Sequence, residues 1–504
     1  MSQIRRQSII SSVVVYIGFA LGFLNTYLFA REGGFTKEQY GLTGIFIAIA
    51  NLMFSFANLG MTSYIYKFYP YYKQNLEPKK NDILSWALLV SLVSFCFIVI
   101  AGIYFKDLIA YKFASNSREF VTYFYWIFPF GLGLTLYSIL ESYAWQLKKS
   151  VLTNFLREIQ FRLFTTILIV LTFSGLLTSF YVFIKIYSFK YLGIAFIILF
   201  YLLAKGYLHL TFKVSIVTRK FFKKILTLIK FVYGGTLVFA IAGVFDTIVI
   251  ASVLENGLAA VALYSLAQNM ASLIQAPQRG IISSSIAALS QAWKEKDHSR
   301  IMRIYKQSSI NQLIFAVGMF SLIWLNFSDG ILTFNLQSGY LDARWIFFYI
   351  GLMRIVDMGT GVNSQVIATS TLWRFEFFTG IILLLITLPL NYVLTKYYFG
   401  AAGPAIANLF SFTIYNAIRF WYLKKKFNMQ PFTWATLYAI LLGLFAFYTC
   451  YFLFDKYHGF LWLVIRSTCF LAIYVSGTLW LKLSSDIMPV WKSIQKRTGI
   501  KKGE

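Results

Sequence analysis

The sequence predicts an all-α polytopic membrane protein, and three observations predict it. The first is composition: 58% of the 504 residues are hydrophobic and 13% are charged, where a soluble domain carries roughly 25% charge. The second is arrangement. The apolar residues fall in long continuous runs, whereas a transmembrane β-barrel shows weak alternation in segments of roughly ten residues. The third is the placement of charge: the net charge is +27, and the cations gather in alternate loops. A mean hydropathy of +0.66 excludes intrinsic disorder. Only 8 prolines and 32 glycines exclude a fibrous chain.

A spanning helix needs about 20 mostly apolar residues. Fourteen such segments are expected, and basic inner loops separate them in pairs. Span 8–30 follows Arg5 and Arg6; it is too long for a signal-peptide core and lacks a small-residue cleavage site, so it reads as an uncleaved helix. Spans 40–66 and 83–105 flank Lys67, Lys73, Lys79 and Lys80. Spans 120–145 and 151–176 turn over Lys148 and Lys149. A basic connector, 205–224, joins spans 179–203 and 225–253. The 294–306 loop joins spans 258–288 and 309–327, and Arg374 separates 345–370 from 375–397. Lys424, Lys425 and Lys426 separate 400–421 from 434–454, and span 460–481 runs into a basic tail.

With the N-terminus inside, 29 of the 46 Lys and Arg fall on the inner side. Eight fall outside: Arg31, Lys37, Lys106, Lys112, Arg118, Arg344, Lys396 and Lys456. This is the positive-inside asymmetry, and it places both termini in the cytoplasm. The basic charge is thereby accounted for, so no nucleic-acid partner is expected. Cys96, Cys450 and Cys469 lie in apolar runs without close spacing, which gives no disulfide framework and no zinc pattern. His209, His298 and His458 are scattered, so no metal site is expected. No loop is long enough to fold alone.

The two halves resemble one another at an offset of about 220 residues. Leu28-Phe29-Ala30, an outer loop and Tyr40-Gly41-Leu42 have counterparts in Ile250-Ala251-Ser252, a Glu255-Asn256-Gly257 turn and Ala260–Tyr264. Six helices separate the copies, so the repeat is parallel, an arrangement common in transporters. The expected organisation is a six-helix bundle over 1–210, a second over 211–430, and two extra helices with a basic cytoplasmic tail over 431–504.

Three stretches carry a resemblance to a known family. They are Gly34-Phe35-Thr36-Lys37-Glu38-Gln39-Tyr40-Gly41, the basic loop and helix over 288–306, and Phe399-Gly400-Ala401-Ala402-Gly403-Pro404-Ala405-Ile406-Ala407-Asn408. In these the chain resembles the polysaccharide flippases of the multidrug/oligosaccharidyl-lipid/polysaccharide exporter superfamily. The resemblance implies a flippase of the bacterial plasma membrane. Its substrate would be a polyprenyl pyrophosphate carrying an oligosaccharide for O-antigen, capsule or exopolysaccharide, moved by alternating access without a covalent step. Polysaccharide polymerase and assembly proteins would be its partners. Gly400, Ala401, Ala402, Gly403 and Ala405 would let helix twelve pack closely on a neighbour.

Charges at membrane depth are costly and usually face a cavity or a partner. The spans hold nine cations: Arg157, Arg162, Lys185, Lys190, Lys230, Arg279, Arg354, Arg419 and Arg466. They hold five acids: Glu141, Glu158, Asp246, Asp357 and Glu376. A cationic excess suits an anionic headgroup, which Arg holds bidentately and Lys as a point charge. The candidates for that contact are Arg279, Arg354, Arg157, Lys185, Gln275 and Gln278. Gln275-Ala276-Pro277-Gln278-Arg279-Gly280 is the strongest setting, because proline within a span breaks the helix and frees backbone groups. Lys230, Arg419 and Arg466 lie near span ends, where they would snorkel. Glu158 and Arg162 are spaced to pair along one helix, which would leave Arg157 freer.

Arg354 and Asp357, three residues apart, could neutralise one another. In the related drug exporters, acids on the seventh and tenth helices form a cation site. By that resemblance Asp246 and Asp357 could bind Na⁺ or share a proton. No other cofactor is expected. The alternative reading is a cation-coupled drug antiporter of the same fold. Such exporters typically carry an acid on the first helix, and 8–30 has none. A membrane enzyme would need a catalytic cluster, and none is legible.

Overall fold

The computed structural model describes residues 3–486, except for the side chains of 3–13 and of a few helical positions, Arg279, Trp373 and Phe377 among them. All elements are helical. The first are α1 (Gln3–Ala30), α2 (Lys37–Asn58), α3 (Met61–Asn75), α4 (Ile83–Tyr104), α5 (Lys106–Ala114), α6 (Arg118–Thr122) and α7 (Ile127–Gln146). Then come α8 (Ser150–Asn154), α9 (Phe161–Phe173), α10 (Phe180–Ser188), α11 (Lys190–Ala204), α12 (Ile216–Val253), α13 (Gly257–Ile274) and α14 (Gln278–Lys294). The last are α15 (His298–Thr333), α16 (Ala343–Gly359), α17 (Asn363–Ala368), α18 (Trp373–Leu394), α19 (Gly403–Phe427), α20 (Trp434–Phe454) and α21 (Phe460–Trp480).

Among the described residues, nine helical stretches are long and apolar enough to cross a membrane. One of them, Arg374–Phe427, contains both α18 and α19, and Val14–Ala30 and Ala240–Val253 are shorter apolar helices. The protein is a multi-pass helical membrane protein.

The expected spans are not all continuous helices. Span 40–66 breaks at Leu59 and Gly60, both at positive φ. Span 151–176 contains a π-helical turn, Phe155–Gln160. Span 179–203 divides at Phe189 and span 345–370 at 360–362. Span 258–288 divides between Ile274 and Gln278, at the expected proline. In the other direction, α12 begins inside the connector expected to be loop. Hydropathy measures depth in the bilayer and is blind to a helix that continues into water behind a good cap. Ser215 supplies that cap, its Oγ accepting from Thr218 N at 3.1 Å.

The chain forms two compact units, Met1–Ala262 and Leu263–Glu504. The division expected at 210–211 falls inside the first unit, because both ends of α12 are tied there. Asp82, fully buried at the start of α4, accepts from Ser215 N at 2.9 Å and Thr218 Oγ1 at 2.8 Å. A carboxylate at a helix N-terminus also meets the positive end of the dipole. Tyr72 OH and Tyr64 OH extend the same chain of hydrogen bonds, each link 2.7 Å. At the other end, Asn116 Nδ2 and Ser117 Oγ donate to Ser252 O and Ala251 O.

Close backbone approach holds the first unit together, as expected where lipid supplies no hydrophobic drive between helices. A Cβ on Gly133 of α7 would lie 2.3 Å from Leu192 N of α11, and one on Gly41 of α2 would lie 1.7 Å from Leu258 O. Tyr64, Ile65, Tyr72, Tyr137, Ile139 and Ile198 share one core in this unit.

In the second unit α15 is the central post. It packs on α16, α20 and α21, and Ile310, Leu313, Ile314, Val317, Ala439, Ala446, Phe470 and Tyr474 share one core. The two C-terminal helices therefore belong to this unit. Gly400 does not serve the tight packing expected of it: a Cβ there would meet nothing within 4 Å, and its φ of +52° makes it a turn residue. Gly403 does approach closely: a Cβ there would lie 2.5 Å from Thr395 N.

Gly133→Leu should lower the thermal unfolding midpoint in detergent, because the obstacle is backbone and overpacking costs about 1–3 kcal/mol or more. Gly193→Ala, on the same α7–α11 pair of helices but with nothing within 4 Å, should leave the midpoint unchanged. Equal midpoints for the two variants would remove the close-packing argument.

Candidate functional site

Two polar clusters inside the apolar helices bring charged side chains together, one in each unit. In the first unit the π-helical turn Phe155–Gln160 carries Arg157 and Glu158. Such single-turn widenings are frequent at functional sites. Arg157 Nη1 meets Glu141 Oε2 of α7 at 3.2 Å; the arginine side chain is 54% exposed and the glutamate 7%. Glu141 also accepts from Tyr137 OH at 3.3 Å, and Tyr137 OH donates to Thr153 O at 2.7 Å. Arg157, expected to be the freer arginine, is thus oriented by a buried carboxylate while about half of its side chain stays accessible. The reading from local spacing missed this because Glu141 is distant in sequence.

One turn on, Arg162 Nη2 pairs with Glu158 Oε2 at 3.1 Å, the pairing expected from their spacing. The pair sits in a groove on α1. A Cβ on Gly18 would lie 2.8 Å from Glu158 O and 3.0 Å from Arg162 Nη1, and one on Gly22 would lie 3.4 Å from Arg162 Cζ. A side chain at 18 would collide with Glu158, whereas a Cβ at 22 would only touch the guanidinium. Asn25 Nδ2, one turn further, donates to Arg162 O at 2.9 Å, and Thr166 Oγ1 donates to Asn25 Oδ1 at 2.7 Å. The polar residue of α1 is therefore a packing partner of α9.

The second cluster lies where α14, α16, α17, α18 and α19 converge. Gln275 Nε2 donates to Gln278 Oε1 at 2.7 Å, and Gln278 Nε2 donates to Asp357 Oδ2 at 2.9 Å. The other oxygen of Asp357 accepts from Asn416 Nδ2 at 3.3 Å. Asn416 Oδ1 in turn accepts from Thr360 Oγ1 at 3.0 Å and Asn363 Nδ2 at 2.8 Å. Ser364 Oγ donates to Glu376 Oε1 at 2.7 Å, and the same oxygen receives Arg419 Nη2. The Arg419 guanidinium lies 3.6 Å over the Tyr415 ring.

Asp357 is thus held by two amides, each of which leaves its carboxylate charge in place. The amide oxygens of Gln278 and Asn416 are themselves taken up by donors, from Gln275 and from Thr360 and Asn363. Thr360 and Asn363 come from the break at 360–362 and its first following residue.

The remaining candidates are placed as follows. Asp246 is buried on α12, in the first unit, and Asp357 belongs to the second. Arg354 is half-buried on α16. Lys185 is exposed on α10, its ammonium 5.5 Å from the centre of the Trp126 ring. The side chain of Arg279, on α14, lies outside the described residues. Lys190 is buried; its Nζ donates to Thr165 Oγ1 at 3.1 Å and sits 3.6 Å and 3.7 Å from the Phe161 and Tyr187 rings.

Two arginines expected to snorkel do not. Arg419 is 5% exposed and paired with Glu376. Arg466 is 6% exposed and meets Asp329 Oδ2 at 2.7 Å, with backbone carbonyls of Leu325, Phe454 and Tyr457 around it. His458 Nδ1 lies 2.7 Å from the second Asp329 oxygen. Snorkelling gives way where an acid on a neighbouring helix is nearer than the interface. Asp329 had fallen just outside its expected span, so its pairing was illegible. Asn363 and Asn416 carry no charge and, unlike Gln275 and Gln278, stand beside no proline and charged neighbour; a polar amide in an apolar run was the available signal.

Glu376→Gln should destabilise the second unit by about 3–5 kcal/mol, the cost of leaving a buried arginine without its acid. Replacing both partners, Glu376→Gln with Arg419→Leu, should recover most of that loss. A double variant as unstable as the single one in a thermal melt would show that the pair does not act as a unit.

No known protein family matches the sequence, and no curated protein is similar to it in sequence. Solved structures are similar in fold. The lipid II flippase MurJ in its inward closed conformation aligns at a TM-score of 0.75 and 17% identity, over 94% of this chain and 99% of that one. An inward-facing multidrug resistance MATE family transporter of the MOP superfamily aligns at 0.65 and 13%, over 81% and 94%. A MATE structure in complex with MaD3S aligns at 0.55 and 14%, over 83% and 95%. The chain has the fold shared by MurJ and the MATE transporters of the MOP superfamily.

Proposed function

We propose that this protein flips a lipid-linked oligosaccharide, carried on polyprenyl pyrophosphate, across the bacterial plasma membrane for surface-polysaccharide synthesis, with both termini in the cytoplasm. The observation that carries the reading is the extent of the fold likeness. The likeness to the lipid II flippase covers 94% of this chain, and those to the MATE transporters cover 81–84%. That neighbour is a lipid II flippase, and a lipid-linked saccharide is the matching substrate class here.

The charge pattern supports an anionic headgroup. Arg162, Arg419 and Arg466 are each matched to an acid and half-buried or buried. For contact with pyrophosphate we propose Arg157, which Glu141 orients, and Lys185 in the first unit, and Arg279, Arg354, Gln275 and Gln278 in the second. Arginine suits this task because its planar fork holds phosphate oxygens in pairs. The reaction is movement alone, and no covalent step is required. Na⁺ or H⁺ would couple at Asp246 and Asp357; the polar cluster that holds Asp357 within the apolar helices supports a site of that kind. Polymerase and assembly proteins would receive the flipped product.

The MATE likeness favours a second reading, a cation-coupled drug antiporter. The absence of any acid from α1 and the cationic excess speak against a cationic cargo.

In proteoliposomes, the wild type should translocate a fluorescent polyprenyl-pyrophosphate oligosaccharide, faster under an imposed Na⁺ or H⁺ gradient. Arg279→Ala and Arg157→Gln should each slow it about tenfold, as expected for loss of one charge-assisted contact. Asp357→Asn and Asp246→Asn should abolish the acceleration by the gradient. Efflux of an organic cation with no movement of any tested glycan would establish the antiporter instead.

A further inference from the structure

One end of the α18–α19 pair carries a groove that the proposed transport cycle does not use. It has a volume of about 470 Å³ and is lined by Phe375, Ile414, Ala417, Ile418, Trp421, Tyr422 and Lys425, within the roughly 300–1,000 Å³ typical of ligand pockets. Its α19 residues recur at helical spacing on one face. The opposite face of α19, with Ser411, Tyr415, Asn416 and Arg419, is buried. The rings of Phe375 and Tyr422 stack at 3.7 Å and form the floor.

Three features identify the occupant. The groove is apolar along its length, so it takes hydrocarbon. Lys425 lines it and stands between Lys424 and Lys426, all three exposed in the last turn of α19. Trp421 is 74% exposed one turn from them, the placement of an indole at a membrane interface. No acid lines the groove. Glu376, adjacent to Phe375 in sequence, is turned inward onto Arg419, Ser364 and Tyr415. Lysines in a last helical turn also complement the helix dipole. That effect alone explains neither the apolar groove beneath them nor the absence of acid.

We infer that this groove binds an anionic glycerophospholipid of the leaflet facing the lysine-rich side, with one acyl chain along Ile414, Ala417 and Ile418 and the headgroup phosphate on Lys424–Lys426. Basic pockets between transmembrane helices on the cytoplasmic side take lipid headgroups in this way. The inference does not depend on what the protein transports.

The test uses the full-length protein in detergent, with dioleoylphosphatidylglycerol and dioleoylphosphatidylcholine as probes and native mass spectrometry as the readout. The wild type should retain the anionic lipid over the neutral one by about tenfold. Joint replacement of Lys424, Lys425 and Lys426 by Gln should weaken retention of the anionic lipid about tenfold, abolishing the preference, with no change for the neutral one. Ala417→Trp, which fills the groove from an exposed position, should reduce retention of both. Thermal midpoints near wild type would establish that the variants fold, and Lys425→Gln alone is the milder substitute for the triple variant. Equal retention of the two lipids, or anionic retention unaffected by the lysine replacements, would overturn the proposal. So would displacement of phosphatidylglycerol by stoichiometric polyprenyl phosphate, since that outcome would assign the groove to the transported lipid.

Discussion

A guanidinium inside a bilayer must bring its counter-charge with it, and much of this structure follows from that requirement. Desolvating an isolated charge costs more than a fold can ordinarily supply. Arg466 is therefore joined to Asp329, Arg419 to Glu376, Arg162 to Glu158 and Arg157 to Glu141. Three of these four pairs link different helices, so each also sets a helix rotation. α21 is turned to place Arg466 on α15, α19 is turned to place Arg419 on α18, and the π-helical turn presents Arg157 to α7. The apolar surfaces around them tolerate many rotations, whereas an ion pair tolerates few.

The same logic governs the helix breaks. Backbone at membrane depth that leaves the helical ladder must find partners within the protein. At 360–362 the partners come from α15: Ser308 Oγ accepts from Val362 N at 3.2 Å, and Ser309 Oγ donates to Gly359 O. Only glycine fits at 361, where a Cβ would lie 2.8 Å from Ser308 Oγ. The break then frees Thr360 and Asn363 to point at Asn416, and Asn416 reaches Asp357. The interruption and the polar cluster are one arrangement.

The likeness to MurJ and MATE structures at 13–17% identity shows how little of this fold resides in particular side chains. Helix length, the small residues at close crossings and the placement of turns suffice to preserve it. Function is carried by sites set into such a frame. That is why the polar groups set into the frame, such as the amides around Asp357, matter more than the helices that bear them.

Much of the architecture was legible without coordinates. Long apolar runs, alternating basic loops and the proline in Gln275–Arg279 were enough to read a multi-pass helical protein and one broken span, because hydropathy and the missing N–H of proline act locally. The Glu158–Arg162 pair was legible for the same reason, both partners lying on one helix. Arg157 with Glu141, Arg466 with Asp329 and the joining of α12 to Asp82 were not legible. Each depends on which face of one helix meets which face of another, and an apolar helix in lipid carries almost no local signal of its own rotation. The amino-acid sequence by itself determined that the helices form and that they lie in a membrane. Only tertiary packing decided which polar groups meet inside it, because the cost of burying a charge is settled by a partner that may stand more than a hundred residues away.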